Sequence, residues 1–188
     1  MKLIHLYADE SYLIAQAAAN NRKAQHELYQ QFAPKMLRVC RQYMKDLHDA
    51  EEVMLTAFLK VFMSLNKFEN RGSFEGWIRR IMVHECLSAL RSKKPIVFID
   101  DVTISEEPSD DLDQSVSYED VQHCLDQLPE GYKVIFTLYA VEGYKHHEIA
   151  KMLQISEGTS KSQLSHARKA LQKLLTHHLQ SNYGSSSI

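Results

Sequence analysis

A short segment between Asn66 and Arg80 carries the side chains best suited to bind a ligand, because basic and aromatic residues are interleaved along it. These residues are Lys67, Phe68, Arg71, Phe74, Trp77, Arg79 and Arg80. Single-stranded nucleic acid is bound by such a mixture, since each base has a face that can stack on a ring and each phosphate has a charge to neutralise. The pattern therefore predicts a surface for unpaired nucleic acid.

Not every aromatic residue of this segment is expected to contact a ligand. Phe74 and Trp77 have the spacing of a helix start, which favours their interpretation as anchors in a hydrophobic core. Phe68, Asn70 and Arg71 lie in the loop itself, and we expect these three to make contact.

A second candidate site lies between Glu148 and Leu171, where the sequence predicts two short helices joined by a tight turn. Ser156 is a good N-cap for the second helix. One stripe of that helix is apolar or small, and it consists of Ser160, Leu164, Ala167, Leu171 and Leu174. The opposite stripe consists of Thr159, Ser162, His166, Lys169 and Lys173, with Lys161 and Arg168 on its flanks. Short hydroxyl side chains followed by bases suit a helix-turn-helix that reads a major groove, and a solvated helical face is the alternative.

The helix predicted from Asp49 to Leu65 is apolar on almost every side. A domain of about ninety residues rarely encloses a helix completely. One face, with Leu55 and Leu59, is therefore expected to dock on another protein, and a central core helix is the alternative.

Enzyme chemistry is disfavoured by what the sequence lacks. It has no glycine-rich phosphate loop and no nucleophile elbow, and the three cysteines form no CxxC pair. His146 and His147 have no third ligand at usable spacing, so we expect a solvated pair and neither a metal nor a cofactor. The segment Met1–Asp9 does not resemble a signal peptide, and no segment has the length of a membrane span, so a cytoplasmic protein is expected.

Charge is distributed unevenly along the chain, although the net charge is only −2. Met1–Lys94 has 15 Lys and Arg against 10 Asp and Glu, net +5. Pro95–Asp120 has nine acids and no base, and Val121–Ile188 has seven bases against five acids. An acidic linker between two basic blocks is the expected arrangement.

Helical periodicity dominates both basic blocks, which predicts an all-α fold of two small helical domains. We expect domains at residues 1–94 and 118–180, an acidic linker at 95–117 and a flexible tail at 181–188. The predicted helices are Tyr12–Ala19, Lys23–Phe32, Pro34–Met44, Asp49–Leu65, Ser73–Leu90, Tyr118–Leu128, Glu130–Val141, His146–Leu153 and Glu157–Leu175.

The two blocks, in this order, resemble extracytoplasmic-function (ECF) sigma factors of the sigma-70 family, which are specificity subunits of bacterial RNA polymerase. In the first block the resemblance depends on "DAEEVMLTAFLKVF", "FENRGSFEGWIRRI" and "LSALRSKK". In the second it depends on "LDQLPEGYKVIFTLYAVEGYKHHEIAKMLQISEGTSKSQLSHARKAL". The resemblance implies a sigma region 2-like bundle followed by a region 4-like helix-turn-helix domain.

The resemblance also implies partners and site residues. The partners are core RNA polymerase, through its two largest subunits, and promoter DNA, and an anti-sigma factor is common in the family. The polymerase-binding residues are Asp49, Glu52, Leu55, Thr56 and Leu59. The −10 DNA-binding residues are Lys67, Phe68, Asn70, Arg71, Arg80, His84, Ser88 and Arg91. The −35 DNA-binding residues are Ser156, Thr159, Lys161, Ser162, His166, Arg168 and Lys169.

Some positions depart from the commoner family pattern. Leu55 and Thr56 stand where Gln-Glu is common, His84 where Asn is usual, and Ser88 where Asp is usual. A helix-turn-helix regulator that is not a polymerase subunit is the main rival interpretation. It would need a sensory pocket or an α/β receiver domain before the motif, and no alternation of strand and helix patterns appears there. A helical adaptor without DNA contact would not explain the acidic linker between basic blocks.

Overall fold

The computed structural model describes residues 2–93, 96–98 and 117–183, with side chains described for residues 10–93, 96–98 and 117–180. No strand occurs among these residues, and the predicted all-α class is confirmed. The chain divides into two compact units, Met1–Lys94 and Pro95–Ile188. The predicted acidic linker, apart from residues 96–98 and Ser117, and the last five residues of the predicted tail lie outside the described residues.

Four helices and one 3₁₀ turn build the described part of the N-terminal unit. They are α1 (Lys2–Ala18), α2 (Arg22–Tyr43), α3 (Leu47–Ser64), the 3₁₀ turn (Leu65–Lys67) and α4 (Phe74–Lys93). Asn21 and Asp46 begin α2 and α3, because each side chain accepts two backbone N–H bonds from the first turn. α3 and α4 pack against each other and against α2. This packing fixes the two ends of the loop that joins α3 to α4.

The helices predicted on either side of Pro34 are one helix in the structure, so that prediction was wrong. A proline inside a helix costs about 3 kcal/mol. Pro34 is on the exposed side of α2, whereas a buried stripe continues past it on the other side. The stripe consists of Ala24, Leu28, Phe32, Met36, Val39, Cys40 and Tyr43. Burying large apolar side chains stabilises by about 1.5–3 kcal/mol each, which outweighs the proline.

The C-terminal unit has four helices in its described part. They are α5 (Tyr118–Gln127), α6 (Glu130–Phe136), α7 (His146–Leu153) and α8 (Glu157–Tyr183). Their core includes Cys124, Leu125, Leu128, Leu171 and Leu175. The predicted helix Glu130–Val141 is α-helical only as far as Phe136, and a π-helical turn, Thr137–Val141, completes it.

The start of α5 is tied to the far end of α8. Ser117 and Asp120 form a capping box, in which the Ser117 hydroxyl accepts the Asp120 N–H at 3.1 Å and the Asp120 carboxylate accepts the Ser117 N–H at 3.2 Å. The other carboxylate oxygen of Asp120 lies 2.7 Å from His178 Nε2. The hydrogen bond from the Ser117 hydroxyl, followed by that from His178, lowers the pKa of Asp120.

Asp120→Asn is expected to reduce the amide-exchange protection of α5 at pH 7. Because the folded-state pKa is below the ordinary value of 3.8, the stabilisation is complete above that value and is lost as the pH falls through the folded-state pKa. The difference from wild type should therefore shrink below about pH 4. Glu119→Gln, an exposed neighbour in the same helical turn, is the control, and a difference that is constant with pH would contradict the assignment.

The beginning of the linker lies against α6 of the C-terminal unit. A Cβ atom placed on Gly131 would be 2.7 Å from the Val97 carbonyl oxygen and 3.3 Å from the Phe98 ring. It would also be 3.4 Å from Oε1 of Gln163 on α8. The absence of a side chain at Gly131 therefore allows residues 97 and 98 to approach the helix closely.

Gly131→Ala is expected to displace residues 96–98, although glycine-to-alanine changes in helices usually stabilise by about 0.4–1 kcal/mol. The measurement is hydrogen exchange, which should show faster exchange at residues 96–98 and unchanged protection in α7. Gly158→Ala is the control, because the nearest atom to its added Cβ is Ser156 Oγ at 3.5 Å. Equal exchange at 96–98 in both variants would contradict the close contact.

Candidate nucleic-acid and protein interfaces

The loop between the 3₁₀ turn and α4 is sharply turned. Asn70 and Gly72 have left-handed backbones, with φ of +55° and +103°. The hydroxyl of Ser73 then accepts the Gly76 N–H at 3.0 Å and begins α4. These features return the chain to α4 and hold Phe68 beside the first turn of that helix.

Three aromatic rings pack together at this position. The Phe68 ring centroid is 5.1 Å from that of Phe74 and 5.5 Å from that of Trp77. Phe74 is 1% exposed, so its prediction as a core anchor is confirmed. Trp77 is stacked on Phe74 with centroids 5.8 Å apart, yet it is only half-buried. The side of the ring that does not face Phe74 is partly exposed to solvent. The prediction of a core anchor is therefore wrong for that side of Trp77.

The rings form one side of a cleft of about 280 Å³, referred to below as the loop cleft. Its lining residues are Lys67, Phe68, Glu69, Arg71, Gly72, Ser73, Gly76, Trp77 and Arg80. Three of them are bases and one is an acid, and Glu69 pairs with the exposed Arg71 at 3.2 Å. The cleft thus combines aromatic faces with positive charge. Of the predicted −10 residues, it brings together Lys67, Phe68, Arg71 and Arg80, and Asn70 shapes the turn.

The remaining −10 candidates lie further along α4. Arg80, His84, Ser88 and Arg91 are all exposed, and their spacing places them along one side of the helix. Ser88, however, also lines a second cleft of about 230 Å³ between α3 and α4, together with the predicted polymerase-binding residues Asp49, Glu52 and Thr56. The two predicted sets therefore meet at this cleft, which sequence spacing alone could not reveal.

Charge in the α3–α4 cleft is mainly negative. Asp49, Glu52 and Glu85 line it, with one base, Lys93. Lys93 Nζ is 2.6 Å from Asp49, and Lys60 Nζ is 2.7 Å from Glu85. With two of the three carboxylates paired to lysines, the cleft keeps a small excess of negative charge, which favours a cationic or neutral partner over a phosphate.

α3 has an exposed apolar stripe opposite its buried face. Val53, Met54, Phe58 and Val61 are buried in the core. Leu55, Leu59 and Met63, each four residues apart, are 54%, 62% and 78% exposed. The predicted docking face is thus present as a surface, and Met63 extends it. Met63 was missed, although its spacing of four from Leu59 was visible in the sequence.

The helix-turn-helix geometry is present in the C-terminal unit. α7 ends at Leu153 and α8 begins at Glu157. Gln154 has a left-handed backbone with φ of +58°, and the Ile155 N–H donates to the Ala150 carbonyl at 3.1 Å. The predicted tight turn is therefore three residues long, which is typical of this motif.

Hydroxyl groups at the start of α8 are partly used by the helix itself. Ser156 Oγ accepts the Thr159 N–H at 2.9 Å, so Ser156 caps the helix as predicted. It is also 2.9 Å from Thr159 Oγ1, and the Ser162 hydroxyl donates to the Thr159 carbonyl at 3.1 Å. These bonds fix the first turn in position.

The predicted −35 residues differ in exposure. Ser156, Lys161, Ser162 and Arg168 are exposed, whereas Thr159, His166 and Lys169 are half-buried. His166 lies beside Tyr132 of α6, with ring centroids 5.9 Å apart. The exposed face of α8 is thus centred on Lys161, Ser162 and Arg168.

His146 is not part of a solvated pair, so that prediction was wrong for this residue. Its ring stacks on Tyr139 with centroids 4.6 Å apart, and its Nδ1 is 2.9 Å from the hydroxyl of the fully buried Ser160. Burial, then the nearby charge of Lys161, lowers the pKa of His146. His147 is exposed, as expected.

No helix in the part of the chain that the structure describes is both long and apolar enough to cross a membrane. No group of three or more histidine, cysteine or acidic side chains within the same residues could hold a metal ion.

An aromatic, basic cleft in one helical unit and a helix-turn-helix in the other define an all-α nucleic-acid-binding protein. Matches to models of known protein families agree with this class of protein. The model described as Sigma-70 region 2 matches residues 28–96, and the model described as Sigma-70, region 4 matches residues 118–171.

Individual relatives are similar along most of the chain. RNA polymerase sigma factor SigV of Bacillus subtilis (strain 168) is 30% identical over 139 residues, which cover 74% of this chain and 83% of SigV. ECF RNA polymerase sigma factor SigW of the same organism is 23% identical over 176 residues, which cover 86% and 94% of the two chains. The chain belongs to the sigma-70 family, as an RNA polymerase sigma factor of the ECF type. The family and function predicted from the motifs are confirmed.

A solved structure supports the fold. The sigma factor RpoE of Bartonella quintana, in complex with the anti-sigma factor NepR, aligns with a TM-score of 0.53 at 22% identity. The alignment covers 80% of this chain and 96% of that chain. At this identity the similarity shows the fold alone.

Proposed function

We propose that this sigma factor uses three separate surfaces, each to bind a different partner. The exposed stripe of α3 docks on core RNA polymerase, the loop cleft holds an unpaired base of the −10 element, and the exposed face of α8 reads the −35 element as duplex. The observation that carries this proposal is the loop cleft, because it combines three bases with the faces of Phe68 and Trp77.

Base capture has a clear physical rationale. Opening a promoter requires bases to leave the stack, which costs a few kcal/mol each. Stacking of a base on an aromatic side chain contributes about 1–3 kcal/mol. Lys67, Arg71 and Arg80, which line the same cleft, would neutralise the neighbouring phosphates. The cleft would therefore favour the open form of the DNA over the duplex.

Docking on the polymerase would use the apolar stripe of α3 together with the polar α3–α4 cleft beside it. Leu55, Leu59 and Met63 supply the apolar contact. Asp49, Glu52 and Thr56 line the adjacent cleft, where their charge suits basic side chains of the polymerase. Of the −10 candidates, Ser88 then belongs to the edge of this contact, and Arg80 and His84 remain closer to the DNA.

Duplex reading would use the exposed face of α8. Lys161 and Arg168 would neutralise phosphates, and Ser162 is short enough to allow close approach to the DNA. His166, beside Tyr132, would contribute at the edge of this face rather than at its centre. Thr159 and Lys169 are both half-buried. Thr159 would help to fix the first turn of α8, and Lys169 would add positive charge to the helix.

We also propose where this protein acts and with which partners. The protein would work in the cytoplasm with the polymerase and would not catalyse a reaction itself. An anti-sigma factor would be a further partner, as for the Bartonella quintana sigma factor RpoE, whose solved structure contains NepR.

The test is run-off transcription on genomic fragments with purified core polymerase, with and without this chain. We expect transcripts that start at discrete sites only when both are present. The test extends to a promoter with 2-aminopurine in the non-template strand of its −10 element, whose fluorescence reports unstacking. Discrete transcripts without unstacking at any −10 position would contradict base capture while leaving the family assignment intact.

A further inference from the structure

Four side chains form a column from the interior of the C-terminal unit to the surface of α8. Ser160 is fully buried, and its hydroxyl is 2.9 Å from His146 Nδ1. The His146 ring stacks on Tyr139 with centroids 4.6 Å apart and an interplanar angle of 25°. The guanidinium carbon of the exposed Arg168 lies 5.6 Å from the centroid of the same tyrosine ring. Tyr139 thus has an imidazole and a guanidinium as neighbours.

The π-helical turn holds Tyr139 at this place. The Glu142 N–H donates to the Thr137 carbonyl at 3.0 Å, and the Tyr144 N–H donates to the Leu138 carbonyl at 2.9 Å. π-helical turns are rare overall, but those that occur are often found at functional sites. Thr137 and Leu138 are fully buried and anchor the turn, whereas Tyr139 is half-buried and reaches the side of α8.

The electrostatics of the column favour a cation, the Arg168 guanidinium, against the Tyr139 ring. Desolvation, followed by the charge of Lys161, lowers the pKa of His146, and the opposing effect of Glu157 is smaller. The lowered pKa disfavours the charged form of the imidazole, so Arg168 is the main cationic neighbour of Tyr139 in the column. A guanidinium over an aromatic face keeps its N–H edge free for hydrogen bonds to other groups.

We propose that Tyr139 is a positioning residue for Arg168, which it holds with the guanidinium edge free to bind a phosphate of the −35 duplex. This inference rests on the proposed reading of duplex DNA by α8. Without the ring, Arg168 would retain its charge but would lose orientation on binding. A cation–π contact at an exposed site corresponds to about a two- to five-fold effect on an equilibrium constant.

The experiment measures binding of the holoenzyme to a duplex containing its −35 element at several salt concentrations. The variants are Tyr139→Leu, Tyr139→Phe, Arg168→Ala and the double variant Tyr139→Leu with Arg168→Ala. We expect Tyr139→Leu to weaken binding about two- to five-fold and Tyr139→Phe, which keeps the ring, to bind like wild type. Arg168→Ala should reduce the slope of log K against log salt concentration by about 0.9, as for one lost phosphate contact.

The double variant decides whether Tyr139 acts through Arg168. We expect Tyr139→Leu to have no further effect when Arg168 is already alanine. An equal loss in both backgrounds would mean that Tyr139 only supports the fold and would overturn the inference.

Lys161→Ala separates this inference from the proposed function. If Lys161→Ala weakens duplex binding but Tyr139 and Arg168 show no coupling, the inference alone is wrong. If neither Lys161→Ala nor Arg168→Ala changes binding, α8 does not contact the duplex, and both the inference and the −35 proposal fail.

Discussion

Leu59→Asp is expected to abolish sigma-dependent transcription by preventing assembly with core polymerase. Leu59 is 62% exposed in the free chain, so the change should not unfold α3. At an interface, the loss of a buried leucine corresponds to about 1.5–3 kcal/mol, and an unpaired buried carboxylate costs more. We therefore expect affinity for core polymerase to fall by at least about 100-fold, measured by fluorescence anisotropy of the labelled sigma factor.

Controls for this prediction separate docking from folding. Tyr12→Asp changes another exposed apolar residue of the same unit, 68% exposed on α1, and should bind core polymerase like wild type. Trp77 is the only tryptophan, so its fluorescence reports whether the N-terminal unit is folded in each variant. If Leu59→Asp were folded and bound core polymerase with wild-type affinity, the α3 stripe would not be the docking surface.

Features that arise from local spacing were predictable from the sequence. The buried and exposed sides of α3 follow from residues three and four apart, and the Ser156 cap follows from its position before a helical pattern. The motifs of the two blocks were sufficient for the family, which the matches at residues 28–96 and 118–171 confirm.

Features that depend on a balance of energies were less predictable. Pro34 is a helix breaker by its local chemistry, and only the buried stripe on the other side of α2 explains why the helix continues. The π-helical turn at Thr137–Val141 has the same helical pattern as an ordinary α-helix. No spacing rule distinguishes the two before the packing of α6 is known.

Features that require two elements to meet could not be predicted from one segment. Ser88 and Glu52 are on different helices, yet both line the α3–α4 cleft. His146 was expected in solvent because its partners, Tyr139 and Ser160, come from the helices on either side of α7. Trp77 was assigned to the core, and only the neighbouring loop shows that one side of it lines a cleft.

Phe68→Ala is expected to slow promoter opening while leaving duplex recognition intact. The Phe68 ring lines the loop cleft and packs on Phe74 and Trp77, so its loss removes a stacking face for an unpaired base. Such stacking contributes about 1–3 kcal/mol, which corresponds to a decrease in the opening equilibrium of about 5- to 150-fold. The measurement is 2-aminopurine fluorescence at the −10 element with the reconstituted holoenzyme. Binding to a −35 duplex should be unchanged.

Phe68→Tyr is the matched variant for this prediction, because it keeps the aromatic face and should restore most of the opening. Phe74→Ala is unsuitable, since Phe74 is 1% exposed and supports the core. A template whose −10 bases are already unpaired removes the melting cost but still requires a base to be held. On that template Phe68→Ala should bind more weakly than Phe68→Tyr if the ring captures a base. Equal binding by the two variants, together with equal opening of duplex promoters, would show that the loop cleft does not stabilise unpaired DNA.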